Sequence, residues 1–228
     1  MKSLSFFNCV CLVYIGDTIN LPKLTTAANM FNNCYNLNPP SYFYLPECQS
    51  MSGMFRYCIK IQQISIVCPK STSLYNLFAY CSGLKRVDIL TTDNVTDLSG
   101  SFYLCSELEH IPVINAKKME RLLNTFYGCS KLTSITLLEL DSVINLTGTF
   151  TSCTLLSFLL ITNLGKSSLT TYDFSEASAW GTGSEENRQS LIDSLITHSY
   201  DRASNGMDTS TIKLSSNTKA LLTEEEIA

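Results

Sequence analysis

Residues 98–108 (LSGSFYLCSEL) and residues 122–132 (LLNTFYGCSKL) share apolar side chains, a phenylalanine and a cysteine at the same spacing. The core of this pattern, Phe-x-x-Cys-x-x-Leu or Ile, occurs seven times, at intervals of 23 to 25 residues. The seven motifs begin at Phe6, Phe31, Phe55, Phe78, Phe102, Phe126 and Phe150. A sequence period of this length is typical of solenoid proteins, in which each repeat forms one coil. We number these coils as rungs 1 to 7 by their phenylalanines.

A second apolar pattern follows the motif in rungs 3 to 7, nine and eleven positions after the phenylalanine. These pairs are Ile64 and Ile66, Val87 and Ile89, Ile111 and Val113, Ile135 and Leu137, and Leu159 and Ile161. Alternation of β-branched or apolar residues at a period of two predicts a short strand with one face inward. A single rung cannot bury its own apolar side, so the rungs must stack and share one core. We therefore predict one short parallel strand per 23–25 residue rung.

The array is predicted to end at an eighth, degenerate rung. Phe174 follows Phe150 at the same interval, with Ala177 at the cysteine position and Trp180, the only tryptophan, at the leucine position. We assign residues 4–180 to the solenoid and residues 181–228 to a small α+β C-terminal cap. The cap is predicted to contain an amphipathic helix over 185–197, a strand over 210–214, and a final helix that begins at a capping box of Thr223 and Glu226.

Composition narrows the function classes. The chain has 228 residues, 45% hydrophobic and 16% charged, with a formal net charge of -4, which is typical of a folded, core-rich protein. Without runs of basic residues it is not expected to bind nucleic acid. No segment is long and apolar enough for membrane insertion. The apolar run from Leu4 to Ile15 allows two interpretations, a signal segment or the first rung.

The ten cysteines fall mostly at one repeat position, which favours buried free thiols over disulfides. Cys9 and Cys11 form one Cys-x-Cys pair, but no second cysteine pair has zinc-ligand spacing. Only two histidines, His110 and His198, are present. We therefore expect no metal and no cofactor. No nucleophile with a base, and no paired carboxylates, stand out from background, so we expect a protein that is not an enzyme.

The outward positions of stacked strands line up into a surface, which is the predicted binding site. The candidate binding residues are Phe43, Gln63, Val67, Arg86, Leu90, His110, Ile114, Leu138 and Phe158. The position twelve residues after the phenylalanine is apolar in five rungs. It forms an exposed interface stripe if it faces water, and part of the core if the strand end curls inward. Tyr57, Tyr80, Tyr103 and Tyr127 beside the motif add either an aromatic ridge or partly buried packing.

The rungs, with preceding stretches such as DNVTDLSGSF (93–102) and MSGMF (51–55), resemble the BspA-like leucine-rich repeats of bacterial surface proteins and of phage-encoded proteins. The resemblance covers about residues 4–180. It implies a leucine-rich-repeat-like, right-handed β/α-type superhelix on a cell or virion surface, or secreted. It also implies adhesion or ligand binding, with a protein or glycan on another cell or surface as partner. The alternative is a structural spacer or self-assembly element, whose partner is another copy.

Overall fold

A computed structural model of the protein describes residues 3–163, 169, 171–175, 177–204, 206 and 211–223. It is a parallel β-solenoid, which confirms the predicted fold class. Rungs 1 to 7 contribute one strand each, and neighbouring strands pair in parallel. The strands are β1 (Thr18–Asn20), β2 (Tyr42–Tyr44), β3 (Gln63–Val67), β4 (Arg86–Leu90), β5 (Ile114–Asn115), β6 (Ser134–Leu138) and β7 (Phe158–Ile161). Leu4 to Ile15 lies in rung 1, where the Phe6 ring stacks on Phe31.

The strands form two sheets, β1 to β4 and β5 to β7. On the strand side of the solenoid, rungs 4 and 5 are joined by a single parallel bridge between Arg86 and His110. Pro112 follows within rung 5, and proline has no N–H group to donate to a ladder. This explains why β5 is only two residues long and why the sheet is interrupted there.

Stacked phenylalanine rings form the centre of the core. Successive rings from Phe6 to Phe174 lie 5.3–6.1 Å apart between centroids. The cysteine and leucine positions of the motif are also fully buried from rung 2 onward. The recurring side chains therefore point into one shared interior, as predicted. Rung 1 lies at the edge of the stack, so Phe6 is only half-buried and Cys9 is exposed.

The ten cysteines are free thiols, and eight of them are buried. Six of the buried thiols donate a hydrogen bond to the phenylalanine carbonyl of the preceding rung, at 2.9–3.1 Å. The donors are Cys34, Cys58, Cys81, Cys105, Cys129 and Cys153. Burial raises the pKa of the Cys68 and Cys153 thiols to about 12. From rung 2 onward, each motif cysteine therefore fills core volume and also donates to a phenylalanine carbonyl oxygen of the preceding rung.

The side of each rung that carries the motif is a run of turns, and no α-helix occurs among residues 3–163. This differs from the β/α-type rung that was expected. The reason is local: in rungs 2 to 7 two positions have a positive φ, one two residues before the phenylalanine and one two residues after it. The position two residues before the phenylalanine alternates between asparagine and glycine: Asn29, Gly53, Asn76, Gly100, Asn124 and Gly148. Asparagine and glycine are the residues that adopt a left-handed backbone most easily, and this conformation interrupts a right-handed helix.

The alternation of asparagine and glycine also has a packing cause. A Cβ atom on Gly100 would meet the Asn76 side-chain oxygen, and one on Gly148 would meet that of Asn124. Each asparagine therefore occupies the space left by the glycine of the next rung. Two asparagines in adjacent rungs would compete for that space.

The inward residue near the strand end differs from rung to rung. In β3 it is Ile66, eleven positions after the phenylalanine, whereas in β4 a register shift beside Ile64 and Ser65 pairs Ile66 with Leu90. The prediction that Ile89 and Val113 point inward is therefore wrong: they are 46% and 56% exposed. Leu90 and Ile114 take the inward position instead.

The eighth rung is followed by a helix, a strand and a short second helix, and this second helix ends at Lys219, before the predicted start at Thr223. Phe174 continues the ring stack, and Trp180 packs edge-on against it at 5.2 Å and is buried. The cap elements are β8 (Thr171–Phe174), α1 (Glu185–Ser204), β9 (Thr211–Leu214) and a short α2 (Ser216–Lys219). β8 pairs in parallel with β9, so the sheet of the cap crosses the predicted boundary after residue 180. Ile196 is 62% exposed on α1, and Glu226 of the predicted capping box lies outside the described residues.

Candidate functional site

The apolar stripe predicted twelve positions after the phenylalanine is wrong for three of its five residues. Phe43, Leu90 and Ile114 are buried in the core. Phe43 packs edge-on against Phe31 and Phe55, at 6.3 and 5.1 Å between centroids. The strand register places these side chains opposite inward residues, with Phe43 and Leu90 paired with Ile66 and Ile114 paired with Leu137. This agrees with the alternative interpretation of the sequence, in which the strand end curls inward. These three residues cannot line an exposed surface.

The other predicted residues lie at or near the outer face of the sheets. Gln63 and Arg86 are exposed, and Val67, His110 and Phe158 are half-buried; the Leu138 side chain is outside the described part of the structure. The interruption at rung 5 separates them into two groups. The structure therefore does not bring them together as one continuous stripe.

Polar groups on the first sheet satisfy each other. The Asp88 carboxylate accepts a hydrogen bond from Gln63 Nε2 at 2.6 Å and pairs with the Arg86 guanidinium. The hydrogen bond from Gln63, followed by that from Arg86, lowers the pKa of Asp88 below its ordinary value. The Arg86 charge is thus neutralised within the chain, which weakens the case for this face as an ion-binding surface.

A continuous row of tyrosines lies on the opposite side, along the turns. It consists of Tyr35, Tyr57, Tyr80, Tyr103 and Tyr127, and we call it the tyrosine ladder. Neighbouring centroids are 4.4–6.3 Å apart, and the rings alternate between stacked and tilted or edge-on contacts. Four of the five are half-buried and Tyr35 is 38% exposed. Both interpretations of the sequence hold in part, because the row is an aromatic ridge whose ring faces are largely used in its own packing.

Arg56 lies on this ladder. Its guanidinium carbon is 5.0 Å from the Tyr57 ring centroid and 5.6 Å from that of Tyr80. Such cation–π contacts hold the cation in place without neutralising it. Arg86, Arg121 and Arg188 each pair with a carboxylate. Among the described residues, no carboxylate pairs with Arg56, and its Nε atom is buried without a hydrogen-bond acceptor.

A groove of 240 Å³ opens beside Arg56, and we call it the rung-5 groove. Its lining residues are Arg56, Tyr75, Asn76, Tyr80, Ser99, Gly100, Tyr103, Leu123 and Asn124. Rung 5 contributes two small residues, Ser99 and Gly100, where rungs 4 and 6 carry larger ones. The groove is therefore an indentation in an otherwise filled surface. Arg56 is the only charged residue in its lining, so the groove carries a positive charge in a protein whose net charge is -4.

The sequence pattern identifies four of the five ladder tyrosines, without Tyr35, and misses Arg56 and the groove. Arg56 occurs once and belongs to no repeated position, so periodicity could not single it out. The groove depends on which residues are small in a single rung. A signal was present in the alternation of asparagine and glycine, which places Gly100 between Asn76 and Asn124.

Two further features of the described residues bear on function. Histidine, cysteine, aspartate and glutamate side chains form no group of three or more that could hold a metal ion. Neither described helix combines the length and the apolar character that crossing a bilayer requires.

Comparison with known proteins gives a match among solved structures alone. No family model matches the chain, and no curated protein matches it. Among solved structures, it is similar to a leucine-rich repeat protein from Bacteroides ovatus, at 17% identity and a TM-score of 0.33. The match covers 76% of this chain and 54% of that chain, so the protein spans about half the length of this solved relative. The narrower assignment to the BspA-like type stays a prediction.

Proposed function

We propose that this protein is a non-enzymatic ligand-binding or adhesion module, displayed on a cell or virion surface or secreted. The observation that carries the proposal is the tyrosine ladder together with the unpaired Arg56 at its edge. Tyrosine and arginine are the residues most often enriched at recognition surfaces. A stacked ladder also holds them in fixed positions, which lowers the entropic cost of binding.

The partner class follows from the shape of this surface. The ladder runs along five successive rungs and thus offers an extended contact for a protein or a glycan on another cell or surface. Burial, followed by the neighbouring Tyr57 and Tyr103, raises the pKa of Tyr80. A tyrosine hydroxyl is protonated at neutral pH even at its ordinary pKa of 10.0, so it can donate a hydrogen bond to a ligand.

Glycan and protein arrays probed with the labelled full chain test this proposal. We expect saturable binding to at least one ligand, and Tyr103→Ala should weaken it because the substitution removes one ring from the ladder. Tyr42→Ala is the matched control, since Tyr42 is 37% exposed on the strand side of the solenoid. Absence of any ligand for the folded protein, or equal losses in both variants, contradicts the proposal.

The alternative, a spacer or self-assembly element, makes a different prediction. Multi-angle light scattering on the full chain should then give a mass that is a multiple of 25.4 kDa at high concentration. The binding proposal requires no such assembly. An assembling chain whose tyrosine variants assemble normally and bind nothing would favour the alternative.

A further inference from the structure

We infer that the rung-5 groove binds a carboxylated sugar, such as a hexuronic acid residue, with its carboxylate on the Arg56 guanidinium. This inference rests on the proposed function and names the ligand class for one part of the binding surface. It starts from the single unpaired charge in the groove. The Arg56 guanidinium lies against the stacked Tyr57 and Tyr80 rings. A guanidinium held in this way is positioned in advance for a carboxylate, which it can bind through two parallel N–H bonds.

Unused polar groups in the groove point to a ligand with more than one polar atom. Ser99 is 4% exposed, and its hydroxyl has no hydrogen-bond partner among the described residues. A buried hydroxyl without a partner costs free energy, and a ligand that supplies one offsets that cost. Asn76 and Asn124 stand on either side of Gly100, with their side-chain oxygens turned toward Gly100 and Gly148. Their amide groups add further donors to the lining.

The remaining wall of the groove is apolar. Tyr75 is 48% exposed and does not belong to the tyrosine ladder, and Leu123 on the other side is 37% exposed. A sugar ring has C–H groups that pack on such surfaces, and hydroxyls that match the amides. In a hexuronic acid the hydroxyls and the carboxylate belong to one compact ring, so one unit can reach Arg56 and the amides together. An acidic peptide would have to reach the amides with its backbone. A cavity of 240 Å³ is also below the usual range for drug-sized ligands, so it fits one monosaccharide unit better than a larger molecule.

The test is an NMR titration of the ¹⁵N-labelled full chain with methyl glucuronide and methyl glucoside, which differ in whether the sugar carries a carboxylate. We expect saturable shifts at the Ser99 and Gly100 amides with the glucuronide, and affinity at least about tenfold lower for the glucoside. Arg56→Gln should lower glucuronide affinity by at least about tenfold. Arg86→Gln, the matched control on the sheet face, should leave it unchanged.

Several outcomes overturn the inference. Equal affinity for the two glycosides, equal loss in the two arginine variants, or no shifts at millimolar glucuronide would each do so. Tighter binding of free glutamate than of the glucuronide would make the ligand an acidic peptide and reject the sugar. Failure here is separable from failure of the proposed function. A ligand from the arrays that is lost in Tyr103→Ala but bound normally by Arg56→Gln leaves that function standing and rejects only this site.

Discussion

The Cys81 thiol donates a hydrogen bond to the Phe55 carbonyl oxygen, 2.9 Å away in the preceding rung. The same carbonyl accepts the Cys58 amide N–H of its own rung, also at 2.9 Å. One oxygen thus closes a turn and ties two rungs together. Alanine in place of Cys81 would lose the hydrogen bond between the rungs, and serine would not fill the volume of the sulfur atom. Cysteine both donates this hydrogen bond and fills the core.

Replacing this thiol should therefore cost stability. We expect Cys81→Ser to lower the free energy of unfolding by about 1–3 kcal/mol, because serine fills less of the core and buries a more polar group than the thiol. Cys9→Ser is the control, because Cys9 is exposed, and it should stay within about 0.5 kcal/mol. Urea denaturation followed by circular dichroism measures both. An equal effect at the two positions would show that the inter-rung bond contributes little.

Stability should also fall at alkaline pH. Unfolded thiols lose their protons above the ordinary pKa of 9.0, whereas burial raises the folded pKa of Cys68 and Cys153 to about 12. Between these values the folded state binds more protons than the unfolded state. The stabilisation is therefore complete below pH 9 and lost as pH rises toward 12, by up to about 1.4 kcal/mol per pH unit for each thiol.

Urea midpoints at pH 8, 9, 10 and 11 measure this dependence. Other groups also titrate in this range, so the comparison is with Cys153→Ala, whose stability should fall less steeply. The same slope in both proteins would contradict the assigned role of the thiol.

The close contact between Gly100 and Asn76 predicts strong coupling between these positions. Gly100→Ala places a methyl group against the Asn76 side-chain oxygen, on a residue with φ of +63°. We expect a loss of about 1–3 kcal/mol from backbone strain and this contact. Asn76→Gly removes the oxygen, so the double variant should lose less stability than the sum of the single changes. A double-mutant cycle in urea measures the coupling, and strict additivity would contradict it.

Trp180 provides an internal probe of the C-terminal end. It is the only tryptophan, it is buried, and its ring packs on Phe174. Phe174→Ala should lower stability by about 3–5 kcal/mol and shift the Trp180 fluorescence to longer wavelength as water reaches the ring. Phe7→Ala is the control, since Phe7 is 50% exposed at the other end. Unchanged fluorescence in Phe174→Ala would show that the ring stack ends at Phe150.

Residues that recur at the same place in every rung made the fold predictable. The phenylalanines and cysteines have one role each, so their spacing was enough to predict a shared core and parallel strands. The predictions of inward residues that were wrong depend on a shift of one residue in strand register. Ile89 and Leu90 are both apolar, and only the register shift in the sheet decides which of them is buried.

The candidate site was less predictable, for a related reason. Periodicity finds positions where rungs are alike, whereas the rung-5 groove exists because rung 5 differs from its neighbours at Ser99 and Gly100. Arg56 could be recognised only after the structure showed that no carboxylate pairs with it among the described residues. A hydropathy pattern also does not reveal that asparagine and glycine are equivalent at this position. They share a preference for a left-handed backbone, whereas their side chains differ in character.

The alternation of asparagine and glycine makes the true building block of this array a pair of rungs. Gly53, Gly100 and Gly148 recur at intervals of 47 and 48 residues. Removal of one rung would bring two asparagines, or two glycines, into direct succession, while removal of two would leave the order intact. Growth or shortening of the array by gene duplication or deletion should therefore proceed in steps of two coils.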